Sequence, residues 1–214
     1  MVGLLYMHIR VLEDADAFLK GLQMVSPERR EKVKNMQNPM AARLSLTAGI
    51  LLQLSMDRMG IQENKLQYGK YGKPMLCGES FHFNLSHSGE YAVCAYSNLP
   101  IGVDLQVIRE RIPRYTKKIL SVEEMHYLEQ CSQPNREFFR LWTRKEAAAK
   151  WDGRGLQLPL ETLSFVAAGR VQDSLFFDGK MLYFQEIQLE GYCLCICQEK
   201  KAPGLCVEEI DREF

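Results

Sequence analysis

The stretch from Phe81 to Gln106, FHFNLSHSGEYAVCAYSNLPIGVDLQ, limits the fold more than any other part of the chain. Its apolar run Tyr91 to Tyr96 reads as a buried strand, and the polar set Asn84, Ser86, His87 and Ser88 ahead of Gly89 reads as a bend that carries hydroxyls and an imidazole. After the turn residues Asn98 to Pro100, Ile101, Val103 and Leu105 alternate with Gly102, Asp104 and Gln106. Period-two geometry therefore puts Asp104 and Gln106 on one face. That face is rich in oxygen and suits a hard cation.

At 214 residues the chain is long enough to bury a real core and only slightly longer than the ~100–200 residues usual for one domain. Its 27 basic and 27 acidic residues cancel, which argues against bulk polyanion binding, so no nucleic acid partner is expected and any anion site must be local. No apolar run approaches the ~20 residues of a membrane helix, and the first residues lack the order of a signal peptide. The expectation is a cytoplasmic protein with no membrane partner. Seven cysteines, an odd number scattered through apolar segments, fit reduced core thiols better than a disulfide framework. Cys193, Cys195 and Cys197 alternate along a strand-like run, where next-but-one residues stand roughly 6.5–7 Å apart. One tetrahedral zinc with Zn–S near ~2.3 Å does not hold all three without breaking that strand.

The chain opens with an apolar stretch, Gly3 to Val11, that reads as a strand. Ser26, Pro27 and Glu28 then spell a helix start, a hydroxyl cap with proline and an acid in the first turn. The basic run Arg29, Arg30, Lys32 and Lys34 behind them is, on composition, more often a solvated face than a phosphate site. From Ala41 to Met59 the apolar spacing is helical, Arg43 lies near the start, and Gly60 supplies a stop. The doubled Tyr-Gly-Lys unit from Tyr68 to Pro74 reads as a loop that brings Lys70 and Lys73 within reach of an anion, and its spacing excludes a Walker loop.

Ser121 with Glu124 makes a capping box for a helix to about Gln130. A second helix runs from Arg136 through Trp151 and ends at Gly153 and Gly155. On it Trp142, Lys145, Glu146, Ala149 and Lys150 are spaced three or four apart and read as one stripe; in an isolated helix Glu146 and Lys150 would be only a surface pair of about 0.3–0.5 kcal/mol. Strand-like segments follow at Thr162 to Val166, Ser174 to Phe177, Met181 to Gln188 and Tyr192 to Gln198. The order of elements also repeats at an offset of ninety-five, Ser26 with Ser121 and Gly60-Ile61 with Gly155-Leu156. The reading is an α+β chain of two similar halves, 1–100 and 101–214, packed as one body around a cleft.

Ser26 to Lys32, Arg43, Tyr71-Gly-Lys-Pro74, Phe83 to Ser88, Ile101-Gly-Val-Asp104 and Trp142-Thr-Arg-Lys-Glu146 with Lys150 stand in one order and spacing. Together they resemble the 4'-phosphopantetheinyl transferases of the surfactin-synthetase-activating (Sfp-type) group, over about Ser26 to Leu160. The resemblance implies a pseudodimeric α+β enzyme that uses Mg2+ and moves phosphopantetheine from coenzyme A to a serine of an apo acyl carrier or peptidyl carrier protein. It implies Asp104 and Glu146 as metal ligands, Glu146 or a metal-bound water it holds as base, and Lys150 as stabiliser of the phosphate and leaving group, with Lys145 a helper. Arg29, Lys32, Arg43, Lys73, Ser86 and His87 are then expected to hold the coenzyme A nucleotide, and Pro74 to shape its adenine pocket. Many members of the group have a second acid where this chain has Gln106, which is accordingly an expected third metal position of lower charge. The alternative is a coenzyme A and carrier-binding homologue weakened in turnover by Gln106. An internal duplication removes the need for a dimer, so a monomer is expected, and a carrier is expected to dock along Pro113 to Cys131.

Overall fold

The computed structural model describes residues 1–61, 66–76 and 80–211. In chain order the first part holds β1 (Val2–His8), α1 (Ala15–Met24), α2 (Pro27–Lys34), α3 (Pro39–Arg58), β2 (Leu66–Tyr68), β3 (Pro74–Leu76), β4 (His82–Ser88), β5 (Tyr91–Ser97) and β6 (Ile101–Val107). The second holds α4 (Val122–Glu129), α5 (Pro134–Asp152), β7 (Val166–Ala167), β8 (Arg170–Val171), β9 (Ser174–Phe177), β10 (Lys180–Leu189), β11 (Tyr192–Gln198) and β12 (Leu205–Glu209). The fold is α+β.

Local chemistry accounts for the helix ends. Ser26 Oγ accepts from Arg29 N and Pro27 fills the first turn of α2, while Asn38 and Pro39 do the same for α3. Ser121 and Glu124 close a capping box on α4. α5 begins at Pro134 and stops at Gly153, whose φ of +90° favours glycine. The repeat of the sequence recurs in these elements: Pro27 and Val122 open eight-residue helices ninety-five positions apart, and Pro39 and Pro134 open the long helices at the same offset.

Two four-stranded sheets carry the core, in the orders β12-β1-β5-β4 and β6-β11-β10-β9. α3 covers the first sheet through Leu46, Ile50 and Leu51 against Leu5, Met7, Phe83, Cys94 and Tyr96. α5 covers the second through Phe138, Phe139 and Ala147 with Cys195 and Cys197. Between the sheets Leu4, Val93, Ala95, Ile101, Val103, Leu105, Leu194 and Ile196 form a third apolar cluster. β12 pairs parallel with β1, so the last strand returns to the first sheet.

The edges β4 and β6 meet without a backbone ladder. Asn84 Oδ1, Ser86 Oγ and Ser88 Oγ of β4 accept from the N–H groups of Val103, Leu105 and Val107 on β6, at 3.0, 3.2 and 3.0 Å. A strand edge otherwise left with free donors is satisfied by side chains from the other sheet. Gly102 lets α5 lie against β6: a Cβ there would stand 2.1 Å from Ala147 O and 2.6 Å from Trp151 N, both backbone atoms.

Several expectations are corrected. The polar set Asn84 to Ser88 lies on a regular strand, not at a bend, because its alternate side chains are spent on the seam with β6. β1 ends at His8, whose Nδ1 accepts from Arg10 N and starts a single 3-10 turn through Leu12. The Thr162 to Val166 stretch is a 3-10 turn at Leu160–Thr162 followed by the short strand β7. The doubled Tyr-Gly-Lys unit, by contrast, is a turn as expected, the one that joins the β2–β3 hairpin, with Gly72 at φ +85°. Helix α1, capped by Asp14, was not anticipated.

Candidate functional site

Asp104 is the centre of the site. It lies on the α5-facing side of β6, 2% exposed, and a buried carboxylate must find donors for both oxygens. Its Oδ1 receives Lys150 Nζ at 2.6 Å and Ser86 Oγ at 2.8 Å, and its Oδ2 receives Gln106 Nε2 at 2.9 Å. Lys150 Nζ also donates to Ser86 Oγ at 2.7 Å. Ser86 thus uses its one proton and both lone pairs, the second on Leu105 N. Three elements, β4, β6 and α5, supply this knot.

Glu146 stands one turn before Lys150 on α5, and Trp142 Nε1 donates to its Oε1 at 3.4 Å. Burial, and next the nearby Asp104 carboxylate, push the Glu146 carboxyl above its usual value, while Lys150 and the Trp142 indole pull it back. Two carboxylates therefore share one ammonium, and the pair is short of positive charge.

Arg29 and Lys32 of α2, with the imidazole of His87, stand on the other side of this pair. His87, at the exposed rim of β4, has its pKa lowered first by packing around the ring and then by the Lys150 ammonium, with Lys32 and Arg29 adding to the effect against Asp104. The charges of α2, β4 and α5 are thereby gathered around one imidazole. Burial also lowers the Arg29 guanidinium, which donates to Ser45 O and Oγ from across the α2–α3 contact. Lys32 is exposed. Arg30, by contrast, is structural, donating to Leu22 O at 2.6 Å and Gln23 O at 3.3 Å.

Three expected positions stand elsewhere. Lys145 is not on the stripe with Glu146: it is fully buried on the other flank of α5, paired with Glu124 at 2.6 Å and donating to Leu160 O and Leu163 O. Three acceptors leave its ammonium no donor for a nucleotide. Lys73 turns inward, with Nζ on Trp151 O at 2.9 Å and Ile101 O at 3.5 Å, so it caps the C-terminal end of α5. Burial depresses its pKa to about 8, with Cys197 and Asp152 opposing. Arg43 is paired with Glu13 at 3.8 Å beside Leu12, Phe18 and Pro39, a recess on the α1 side of α3. Pro74 opens β3 opposite Tyr68 and is half-buried.

Two contributors escaped the sequence reading. Trp142 is more than a stripe residue, since its indole holds Glu146. Glu124, legible as a cap, also accepts from Phe165 N and neutralises Lys145, a role that no local pattern announces. Among the described residues no group of three or more His, Cys, Asp and Glu converges as a metal cage. The hard-cation donors that do lie together are Asp104, Glu146 and the Gln106 amide.

The sequence pattern of the 4'-phosphopantetheinyl transferase superfamily matches residues 100–197, which hold Asp104, Glu146 and Lys150. The chain is similar to 4'-phosphopantetheinyl transferase Sfp of Bacillus subtilis (strain 168), 29% identical over 187 residues that cover 82% of this chain and 83% of that protein. It is 28% identical over 220 residues to 4'-phosphopantetheinyl transferase gsp of Aneurinibacillus migulanus, covering 98% and 92%. It is also similar to the L-aminoadipate-semialdehyde dehydrogenase-phosphopantetheinyl transferase of Homo sapiens, 26% identical over 218 residues covering 87% and 71%.

Proposed function

The chain belongs to the 4'-phosphopantetheinyl transferase superfamily, and on that premise we propose that it moves 4'-phosphopantetheine from coenzyme A to a serine hydroxyl of an apo carrier protein, releasing 3',5'-ADP. The observation that carries this reading is the meeting of Asp104, Glu146 and Lys150 beside the cations of α2 and the imidazole of His87 on β4. The two halves, 1–100 and 101–214, are read as contributing opposite sides of this cleft.

In the transfer the serine oxygen bonds to the pantetheine-side phosphorus of the pyrophosphate, and the bond from that phosphorus to the bridging oxygen breaks. The departing oxygen leaves on 3',5'-ADP. Glu146 takes the serine proton, a role helped by a carboxyl held above its ordinary value. Lys150, one helical turn along, offers its ammonium to the charge that builds on the leaving oxygens. His87, Lys32 and Arg29 hold the nucleotide phosphates, and Ser86 fixes Lys150 and Asp104 relative to one another.

A divalent cation fits this donor set, because two carboxylates with one ammonium lack positive charge and oxygen donors suit Mg2+. Asp104 and Glu146 would hold it, and the Gln106 side chain, whose Nε2 donates to Asp104 Oδ2, would join them by turning its amide oxygen to the ion. When bound it supplies neutralisation of pyrophosphate charge. The neutral amide gives a weaker hold than a third carboxylate.

The test is intact mass spectrometry of apo acyl carrier and apo peptidyl carrier proteins incubated with the protein, coenzyme A and magnesium. Gain of one phosphopantetheine, lost with EDTA, is the expected result. No gain on either carrier would overturn the reading.

A further inference from the structure

Phe176 and Met181 face each other across the β9–β10 pair, and both stand in solvent, 68% and 42% exposed. Their neighbours explain the direction. Leu175, Leu182 and Phe184 turn to the cluster under α5, so period-two alternation sends Phe176, Met181 and Tyr183 to the opposite face of the second sheet. The cluster between the sheets takes Ile187, Leu194 and Ile196 from that face and leaves those three outside it.

Beside them lies a cavity of about 370 Å³, within the roughly 300–1,000 Å³ of small-ligand sites. Tyr183, Ile196, Ala202 and Pro203 wall it, and the exposed Lys200 and Lys201 edge it from the 199–204 connection between β11 and β12. Lys201 Nζ sits 5.6 Å over the centre of the Tyr183 ring, and neither lysine forms an ion pair among the described residues. Asp173, the one acid of the lining, is paired with Arg144 at 3.0 Å, and the adjoining Glu199 is taken by Lys180 at 2.7 Å. Met181 and Tyr183 are next-but-one residues, roughly 7 Å apart along β10. Apolar surface therefore leads in one direction up to charge that the fold leaves unneutralised.

We propose that this groove binds a free fatty carboxylate, its chain over Phe176, Met181 and the Tyr183 wall and its carboxylate on the Lys200 and Lys201 ammonium groups. The order of the groups carries the assignment. A compact anion has no use for the apolar run, and a neutral chain has none for two unpaired lysines. A concave seat of this size suits a single chain. It stands on the face of the second sheet opposite to Asp104 and α5, so it is separate from the cleft and independent of the transferase reading.

Isothermal titration calorimetry with dodecanoate, kept below the concentration at which it forms micelles, tests the site. One dodecanoate per chain is expected, with affinity rising by up to about fourfold per methylene from octanoate to dodecanoate and no displacement by coenzyme A. Lys200→Glu/Lys201→Glu is expected to weaken dodecanoate by about tenfold and to leave the weaker binding of dodecanol unchanged. Ala202→Trp fills the cavity and is expected to weaken both; should that variant fail to fold, the surface lysine pair decides alone. No binding, equal binding of dodecyltrimethylammonium, several chains per protein, indifference to the lysine reversal or displacement by coenzyme A would each overturn the proposal. Sedimentation with anionic phospholipid vesicles by a protein that takes up no free dodecanoate would overturn it too, and would assign the patch to a bilayer.

Discussion

α3 and α5 hold equivalent places, each a long helix opened by proline and laid over a four-stranded sheet, yet their inner faces differ in kind. The buried side of α3 is aliphatic, relieved only by small hydroxyls such as Thr47 and Ser55. That of α5 buries Arg144 and Lys145 outright and keeps Glu146 and Lys150 at the margin. The first arrangement is inexpensive to fold. The second demands a partner for every charge, and the same demand brings carboxylates and cations into one cleft. The two helices share a layout, and the one that buries charge is the one that carries Glu146 and Lys150.

The comparison breaks if matched changes in the two helices have matched effects. Glu146→Gln is expected to lower kcat by about 10²- to 10⁴-fold while the melting temperature holds. Leu51→Ala on α3 is expected to cost about 2–5 kcal/mol of stability with kcat preserved in the molecules that remain folded. Equal loss of turnover in both would erase the distinction.

The buried pair on α5 tests the energetic half of the argument. Lys145→Met leaves Glu124 uncompensated and is expected to cost about 3–5 kcal/mol in denaturant unfolding. Glu124→Leu/Lys145→Met removes the uncompensated charge but also the partners of Ser121 N, Phe165 N, Leu160 O and Leu163 O, so it is expected to recover only part of that loss. A single change as mild as the double would mean that the ion pair contributes nothing the core needs.

The stripe on α5 was legible only in part. Spacing of three and four places Trp142, Glu146 and Lys150 together, but it does not fix how wide the buried arc is, and Lys145 falls just over its edge into the core. Lys73 shows a second limit: a four-carbon stem reaches either a phosphate or a helix end, and only the packing of the β2–β3 hairpin against α5 decides. Arg43 lies one side of α3 away from Ser45, where Arg29 binds. By contrast β5, β6 and β11 were readable because alternation and turn residues bound them, and Tyr192 to Gln198 is the strand the structure has. α1 has a local signal too, Asp14 capping the amides of Asp16 and Ala17.

Two smaller effects sharpen the contrast. Lys73 has a folded pKa of about 8, below its unfolded value of 10.5, so between these values the unfolded chain binds more protons and stability is expected to rise with pH. Urea unfolding across that window checks the slope, and Lys73→Met is expected to flatten it. Gln106→Glu is expected to lower the magnesium concentration that half-saturates activity. An unchanged midpoint would show that position to be indifferent to charge.

The seam between β4 and β6 has a consequence of its own. Asn84, Ser86 and Ser88 bind the N–H groups of Val103, Leu105 and Val107 one side chain at a time, with no backbone ladder between the two edges. Ser86 belongs to that seam and to the Asp104 cluster alike. The side-chain seam is therefore expected to open before the backbone ladders within either sheet do. Under mild denaturant, turnover should fade while both sheets are still intact, which makes activity a finer gauge of the join between the two sheets than any probe of secondary structure.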